Sequence, residues 1–279
     1  MSILRSKDLR FAFGENWKHF LDSVDDNRIQ EAEHSLLKLL GVQRLDGMSF
    51  LDIGSGSGLS SLAARRLGAI VHSFDYDSHS VACTTELRRR YFPDDNKWSI
   101  EQGSALDANY LESLGTYDIV YSWGVLHHTG AMWLGLENAI CRVANGGQLF
   151  IAIYNDQGLR SHVWWMVKYF YNVLPRPLKT FYALSIGLFA NLFNIIKYTL
   201  LLKPQIAVSP LLNYRQNRGM SFMHDLFDWI GGFPYEFATY ELLEEFLYSR
   251  GFVLVNGRAA TSLGCHEQVF QRVVKRSKD

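Results

Sequence analysis

Residues 50–69, FLDIGSGSGLSSLAARRLGA, place Gly54, Gly56 and Gly58 in five positions between an apolar run and a helical one. The apolar run reads as a short strand, and the residues after it as a helix closed by Gly68. In a strand–loop–helix unit, glycines let the backbone turn tightly and approach a ligand closely. The dinucleotide fingerprint that seats a pyrophosphate is G-x-G-x-x-G. Here the spacing is G-x-G-x-G, with Asp52 two residues before the first glycine. A carboxylate at that strand end repels a pyrophosphate and suits a ligand carrying an ammonium group.

The pattern on either side of this stretch is an alternating one. Residues 15–40 read as helical, with Gly41 as a stop. From Met48 to Asn155, apolar strands alternate with helices in the order MSFLDIG, LSSLAARRLG, AIVHSFD, SVACTTELRRRYF, WSIEQGSALD, YDIVYSW, MWLGLENAICRV, GQLFIAIYN. Strands separated by helices of this length indicate βαβ units and a parallel sheet. Residues 156–235 break the rhythm with aromatic-rich helical sequence interrupted by prolines, an insertion expected to cap the carboxyl edge of the sheet. The rhythm returns with ATYELLEEFLYSRG as a helix and FVLVNG and CHEQVFQRVV as a final hairpin. The expected organisation is therefore an N-terminal helical segment at 1–48, a Rossmann-like α/β core at 49–155, a helical insertion at 156–235, and a C-terminal helix and hairpin at 236–279 that complete the core.

Composition narrows the partners. The 279 residues are 48% hydrophobic and 20% charged, and 28 Lys and Arg balance 28 Asp and Glu. With no net charge, no strong bulk field draws the chain to nucleic acid or an anionic membrane. Three widely spaced cysteines form neither a zinc motif nor a disulfide framework, which points to a reducing, cytoplasmic setting. The first residues do not read as a signal peptide. Residues 181–196 carry no charge, but 16 residues fall short of a membrane span. The stretch 181–202 reads as a helix packed on the protein, or as one lying on a membrane surface, which would make the protein peripheral to the inner face.

The ligand follows from two more positions. The second strand ends in Asp75-Tyr76, with Asp75 21 residues beyond Gly54. An acid there accepts both hydroxyls of a ribose, and an aromatic beside it packs on a base. S-adenosylmethionine (SAM) has an amine, a carboxylate and a sulfonium, and no phosphate. On LDIGSGSG, Asp75, Gln102-Gly103-Ser104-Ala105, Tyr117-Asp118-Ile119-Val120 and Ala144-Asn145-Gly146-Gly147, the chain resembles the class I SAM-dependent methyltransferases. The resemblance is strong over 45–155 and moderate over the last helix and hairpin. It implies cofactor contacts from Asp52, Gly54, Ser55, Gly56, Gly58, Asp75, Tyr76, Ser104 and Ala105. Many members have aspartate where Ser104 stands, and Asp107 is an alternative partner for the adenine.

The fourth strand runs into Ser122-Trp123-Gly124-Val125-Leu126-His127-His128-Thr129-Gly130. In the family this loop lies beside the methionine portion of SAM and the methyl acceptor, so Ser122 and Trp123 join the cofactor set. It is similar to the Val-Leu-Glu-His loop of small-molecule, quinone-type O-methyltransferases. An acceptor hydroxyl loses its proton near the transition state, and histidine takes it at neutral pH. His128 is the favoured base, His127 the alternative, and no metal site is expected. Candidate acceptor contacts are Tyr154 and Asn155, and, in the insertion and just after it, Arg218, His224, Asp225, Tyr235 and Glu236. Cys265-His266-Glu267 on the last hairpin can reach the same pocket, and Trp17 is a candidate lid over the SAM site. The expected activity is O-methylation of a sugar, glycolipid or secondary metabolite. A quinone-type lipid acceptor at a membrane surface is a second reading, and a non-catalytic SAM-binding module a third. The sequence leaves the oligomeric state open.

Overall fold

The structure, a computed structural model, describes residues 11, 21, 24–202 and 222–274. The chain divides into two compact units, one of residues 12–162 with 235–279 and the other of residues 1–11 with 163–234.

In the larger unit a helix, α1 (Asp26–Leu40), begins where the Asp25 side chain accepts from the Arg28 amide at 2.9 Å and ends where Gly41 turns left-handed at φ 70°. Such an N-cap is worth about 1 kcal/mol. The chain then alternates β1 (Ser49–Ile53), α2 (Leu59–Arg66), β2 (Ile70–Asp75), α3 (Ser78–Tyr91) and β3 (Trp98–Gln102). It continues through α4 (Ala108–Ser113), β4 (Tyr117–Trp123), α5 (Met132–Ile140) and β5 (Val143–Tyr154). In the smaller unit lie most of α6 (Leu159–Val173), α7 (Arg176–Leu200) and α8 (Phe222–Gly231). The larger unit closes with α9 (Tyr240–Tyr248), β6 (Phe252–Arg258) and β7 (Cys265–Arg272).

The seven strands lie in the order β3-β2-β1-β4-β5-β7-β6. The first five are parallel, and β7 runs antiparallel to both β5 and β6. This is the expected Rossmann-like sheet with its antiparallel C-terminal hairpin. Period-two alternation sorts the side chains between two cores. Leu51, Ile53, Val120 and Ile151 pack under α5 and α9, and Phe50, Ile119, Tyr121 and Phe150 under α1 and α2. Tyr121 meets Phe150 edge-on at 4.8 Å between centroids, a geometry worth about 1 kcal/mol beyond burial.

Two elements depart from the sequence reading. The third strand, expected over 98–107, stops at Gln102, and α4 follows over residues that the sequence reading assigned to no element. Asp107 caps α4, its Oδ1 accepting from the Tyr110 amide at 3.0 Å. The fifth strand begins at Val143, so Ala144–Gly147, expected as a turn, belong to it.

Candidate active site

Beneath the glycine loop lies a buried polar chain. The Trp98 indole donates to Ser73 Oγ at 2.9 Å, the Ser73 and Ser61 hydroxyls lie 2.6 Å apart, and Ser61 Oγ donates to Asp52 Oδ2 at 2.5 Å. Asp52 is 1% exposed, and burial pushes its carboxyl up to about 7. The sequence reading put this carboxylate against the ligand's ammonium. In the structure Asp52 ends an internal hydrogen-bond chain that ties β1, α2, β2 and β3 together.

Above that chain Gly54, Gly56 and Gly58 all have positive φ. Gly54 is the tightest, because a Cβ there would lie 2.4 Å from Val125 Cγ1, on the segment that leads to the histidines. At Gly58 a Cβ would lie 2.9 Å from the Thr84 Cα, and Thr84 Oγ1 is 3.0 Å from Ser55 Oγ. The loop is therefore wedged between β4 and α3.

Asp75 closes the loop from the side. Its Oδ2 accepts from the Gly56 amide at 2.9 Å and its Oδ1 from the Asp77 amide at 2.8 Å. These two amides orient the carboxylate beside the loop, and a carboxylate is an acceptor of the kind a vicinal diol needs. Tyr76 beside it is 58% exposed. Ala105 is buried, and Ser104 Oγ accepts from the Leu106 amide at 3.2 Å. This donor and acceptor set fits the ribose and adenine of SAM.

At the end of β4 the roles separate. Ser122 is fully buried and donates to the Ile53 carbonyl at 3.2 Å, which locks β4 to β1. Trp123 is half exposed, and its indole donates to Glu267 Oε1 at 2.9 Å. Ala152 sits between them in the register of β4, β5 and β7, and its small side chain lets the indole cross to Glu267. Glu267 also pairs with Arg258 at 2.8 Å. The hairpin residues are not solvent-facing: His266 and Glu267 are buried, and burial pushes the Cys265 thiol up to about 12.

Leu126–His128 form one turn of 3₁₀ helix. His127 is 1% exposed, and its Nδ1 accepts from the Tyr154 amide at 3.3 Å. The His127 and Tyr154 rings are 3.9 Å apart, the two histidine rings 4.4 Å, and His128 meets Tyr154 edge-on at 5.4 Å. Tyr235 joins this cluster 5.1 Å from Tyr154, its hydroxyl pushed up to about 12 by burial.

Two of the expected acceptor contacts tie the framework together. Asn155 Nδ2 donates to the carbonyls of Ala260 and Ser262, pinning the loop before β7. The Glu236 amide donates to the His127 carbonyl at 2.9 Å, and the Glu236 carboxylate accepts from the Met132 amide at 3.0 Å and from the Gly130 amide. That places a negative charge at the N-terminus of α5, where the helix dipole favours it. No local pattern in the sequence signals this bond, which spans 104 residues. His224 and Asp225 lie in α8, outside the larger unit that carries the histidines. Trp17 and Arg218 lie outside the described residues. Among the described residues there is no cluster of ligands for a metal ion.

A glycine loop, an acid at the end of the next strand and a histidine turn beyond the fourth are arranged as in class I SAM-dependent methyltransferases. A family model described as a methyltransferase domain matches residues 24–177, more than half of the chain, and the chain belongs to that family. Among curated proteins it is 29% identical over 157 residues to a ubiquinone biosynthesis O-methyltransferase of Parvibaculum lavamentivorans, covering 53% of this chain and 57% of that one. It is 31% identical over 125 residues to a chloroplastic magnesium protoporphyrin IX methyltransferase of Arabidopsis thaliana, covering 41% and 38%. The chain thus spans well under two thirds of the length of these relatives. Its fold is shared with PKMT2 from Rickettsia typhi in complex with AdoHcy (TM-score 0.58, 12% identity, 89% of this chain and 54% of that one). It is also shared with the magnesium protoporphyrin IX methyltransferase of Synechocystis PCC 6803 with bound SAH (TM-score 0.52, 13% identity, 88% and 83%).

Proposed function

We propose that the protein transfers the methyl group of SAM to a hydroxyl of a small-molecule acceptor, with His128 taking the acceptor's proton. The observation that carries this reading is the Gly56 amide on Asp75, which presents a diol-binding carboxylate beside the glycine loop. Asp75 and the loop would hold the ribose, Tyr76 the adenine, and Ser104 and Ala105 the edge of the base. SAM supplies an electrophilic methyl on a sulfonium, so the protein's work is to align the acceptor with it and remove one proton.

The two histidines divide that work. A ring nitrogen that accepts from a peptide N–H is unprotonated, so His127 is a neutral imidazole whose proton sits on Nε2. Its basic nitrogen is engaged with backbone, which leaves His128 as the base. Tyr154 and Tyr235, packed beside the pair, would form the apolar wall against which an acceptor lies.

The first acceptor class is a sugar, glycolipid or secondary metabolite. A quinone-type lipid is the second, supported by the likeness to the ubiquinone biosynthesis O-methyltransferase. No nucleic-acid partner is proposed, and a cytosolic setting accords with the free thiols of Cys83, Cys141 and Cys265. The test is release of S-adenosylhomocysteine across a panel of hydroxylated acceptors, polyols against dihydroxylated aromatic lipids. SAM binding without turnover on any of them would favour a non-catalytic module.

A further inference from the structure

The balanced charge of the whole chain conceals a segregated one. Residues 157–224 contain eight Lys and Arg and not one Asp or Glu, so the rest of the chain carries a compensating acidic excess. The stretch includes α7, whose ends hold Arg176, Lys179 and Lys197.

α7 is two-sided. On one side Ala183 and Gly187 are buried, and a Cβ at Gly187 would lie 2.7 Å from Leu226 of α8, so that side seats against its neighbour. On the other side Phe181, Leu184, Leu188, Leu192 and Ile196 recur at three- and four-residue spacing and are all exposed, Phe181 by 73% and Leu188 by 70%. Phe189 and Leu200 extend the same surface, at 73% and 78%. Residues at this spacing share one face of a helix. From Phe181 to Leu200 the apolar strip is roughly 29 Å long, beyond what a soluble surface ordinarily leaves bare.

We infer that this face of α7 docks in the plane of an anionic lipid bilayer, its Phe and Leu side chains entering the headgroup boundary while the acid-free, cationic segment that carries the helix is drawn to lipid phosphates. Among the described residues no helix is long and apolar enough to cross a membrane, so the helix lies on the surface rather than through it. Charge selects the occupant. A second copy of the chain would bring a second acid-free segment with eight cations against the first, whereas an anionic bilayer supplies the opposite sign. The surface stands independently of which acceptor is methylated, and its test reads binding alone.

The experiment is flotation of the full-length protein with vesicles. Phosphatidylcholine containing about 30% phosphatidylglycerol should retain the protein, and pure phosphatidylcholine about tenfold less. Raising salt to about 0.5 M should weaken the binding. L188E/F189E should abolish flotation, and K179E/K197E should weaken it by about tenfold or more. L188E/F189E should keep the wild-type melting temperature, since both side chains are exposed on the face away from α8, and K179E/K197E is scored only as folded protein, because Lys179 lies over the Tyr171 ring. No flotation with anionic vesicles, equal flotation on neutral ones, or folded variants that float like the wild type would each overturn the inference. So would a stable dimer in lipid-free buffer that L188E/F189E dissociates, because the face would then be an interface between copies.

Discussion

The amide of Tyr154 donates to Nδ1 of His127 at 3.3 Å, and the two rings lie 3.9 Å apart. One peptide bond at the end of β5 thereby decides the tautomer of a histidine at the end of β4. On the proposed function it separates two adjacent residues of the same type, His127 held to the backbone and His128 as the base.

The first prediction follows from that separation. His128→Asn should lower kcat by about a hundredfold or more, the usual worth of a positioned base, with SAM affinity unchanged. His127→Asn keeps an acceptor oxygen near the position of Nδ1 and should retain activity within about tenfold. Steady-state kinetics of the two variants with a turned-over acceptor checks this, and the reverse ranking would assign the base to His127.

Glu236 should matter to the same turn without touching the chemistry. Glu236→Ala leaves the Met132 and Gly130 amides without their acceptor at the start of α5 and should cost about 2 kcal/mol of stability. Glu236→Gln retains one acceptor oxygen and should cost about half of that. Urea denaturation of both variants measures the difference.

Gly54→Ala combines two penalties. The residue sits at φ 78°, and its new Cβ would meet the Val125 side chain. The strain is about 1–2 kcal/mol for the backbone alone. Because Val125 leads into the histidine turn, SAM affinity and turnover should fall together. Calorimetry and kinetics on the folded variant test that coupling.

Asp52 gives the protein a pH-dependent stability. Its carboxyl titrates near 7 in the folded chain and near 4 in the unfolded one, so the folded state holds the extra proton between those values. Stability from this group is greatest below about pH 4 and falls as pH rises toward 7, by about 1.4 kcal/mol per pH unit at the steepest. Asp52→Asn, which can still accept from Ser61, should flatten that slope. Denaturant melts at pH 5 and pH 7.5 for both proteins decide it.

Much of this site is legible along the chain because its parts are local. The G-x-G-x-G loop, Asp75 at the end of the second strand and the His-His turn after the fourth are each set by a few neighbouring residues. Their place at one sheet edge follows from the βαβ rhythm. What the sequence conceals is long-range. The Tyr154 amide that sets His127 and the Glu236 carboxylate that caps α5 come from 27 and 104 residues away, and no periodicity records them. Asp52 misleads for a related reason: its hydroxyl partner lies on the next helix, so a carboxylate beside the glycines looks exposed when it is the end of a buried chain. The six residues of α4 are too short to show a helical period, and only the Asp107 cap marks them.

The most direct test of the account is titration calorimetry of SAM into the wild-type protein and into Asp75→Ala. The account predicts one SAM per chain, with affinity lowered by about a hundredfold when the diol-reading carboxylate is removed. A wild-type chain that does not bind SAM, or an Asp75→Ala variant that binds it equally well, would contradict it.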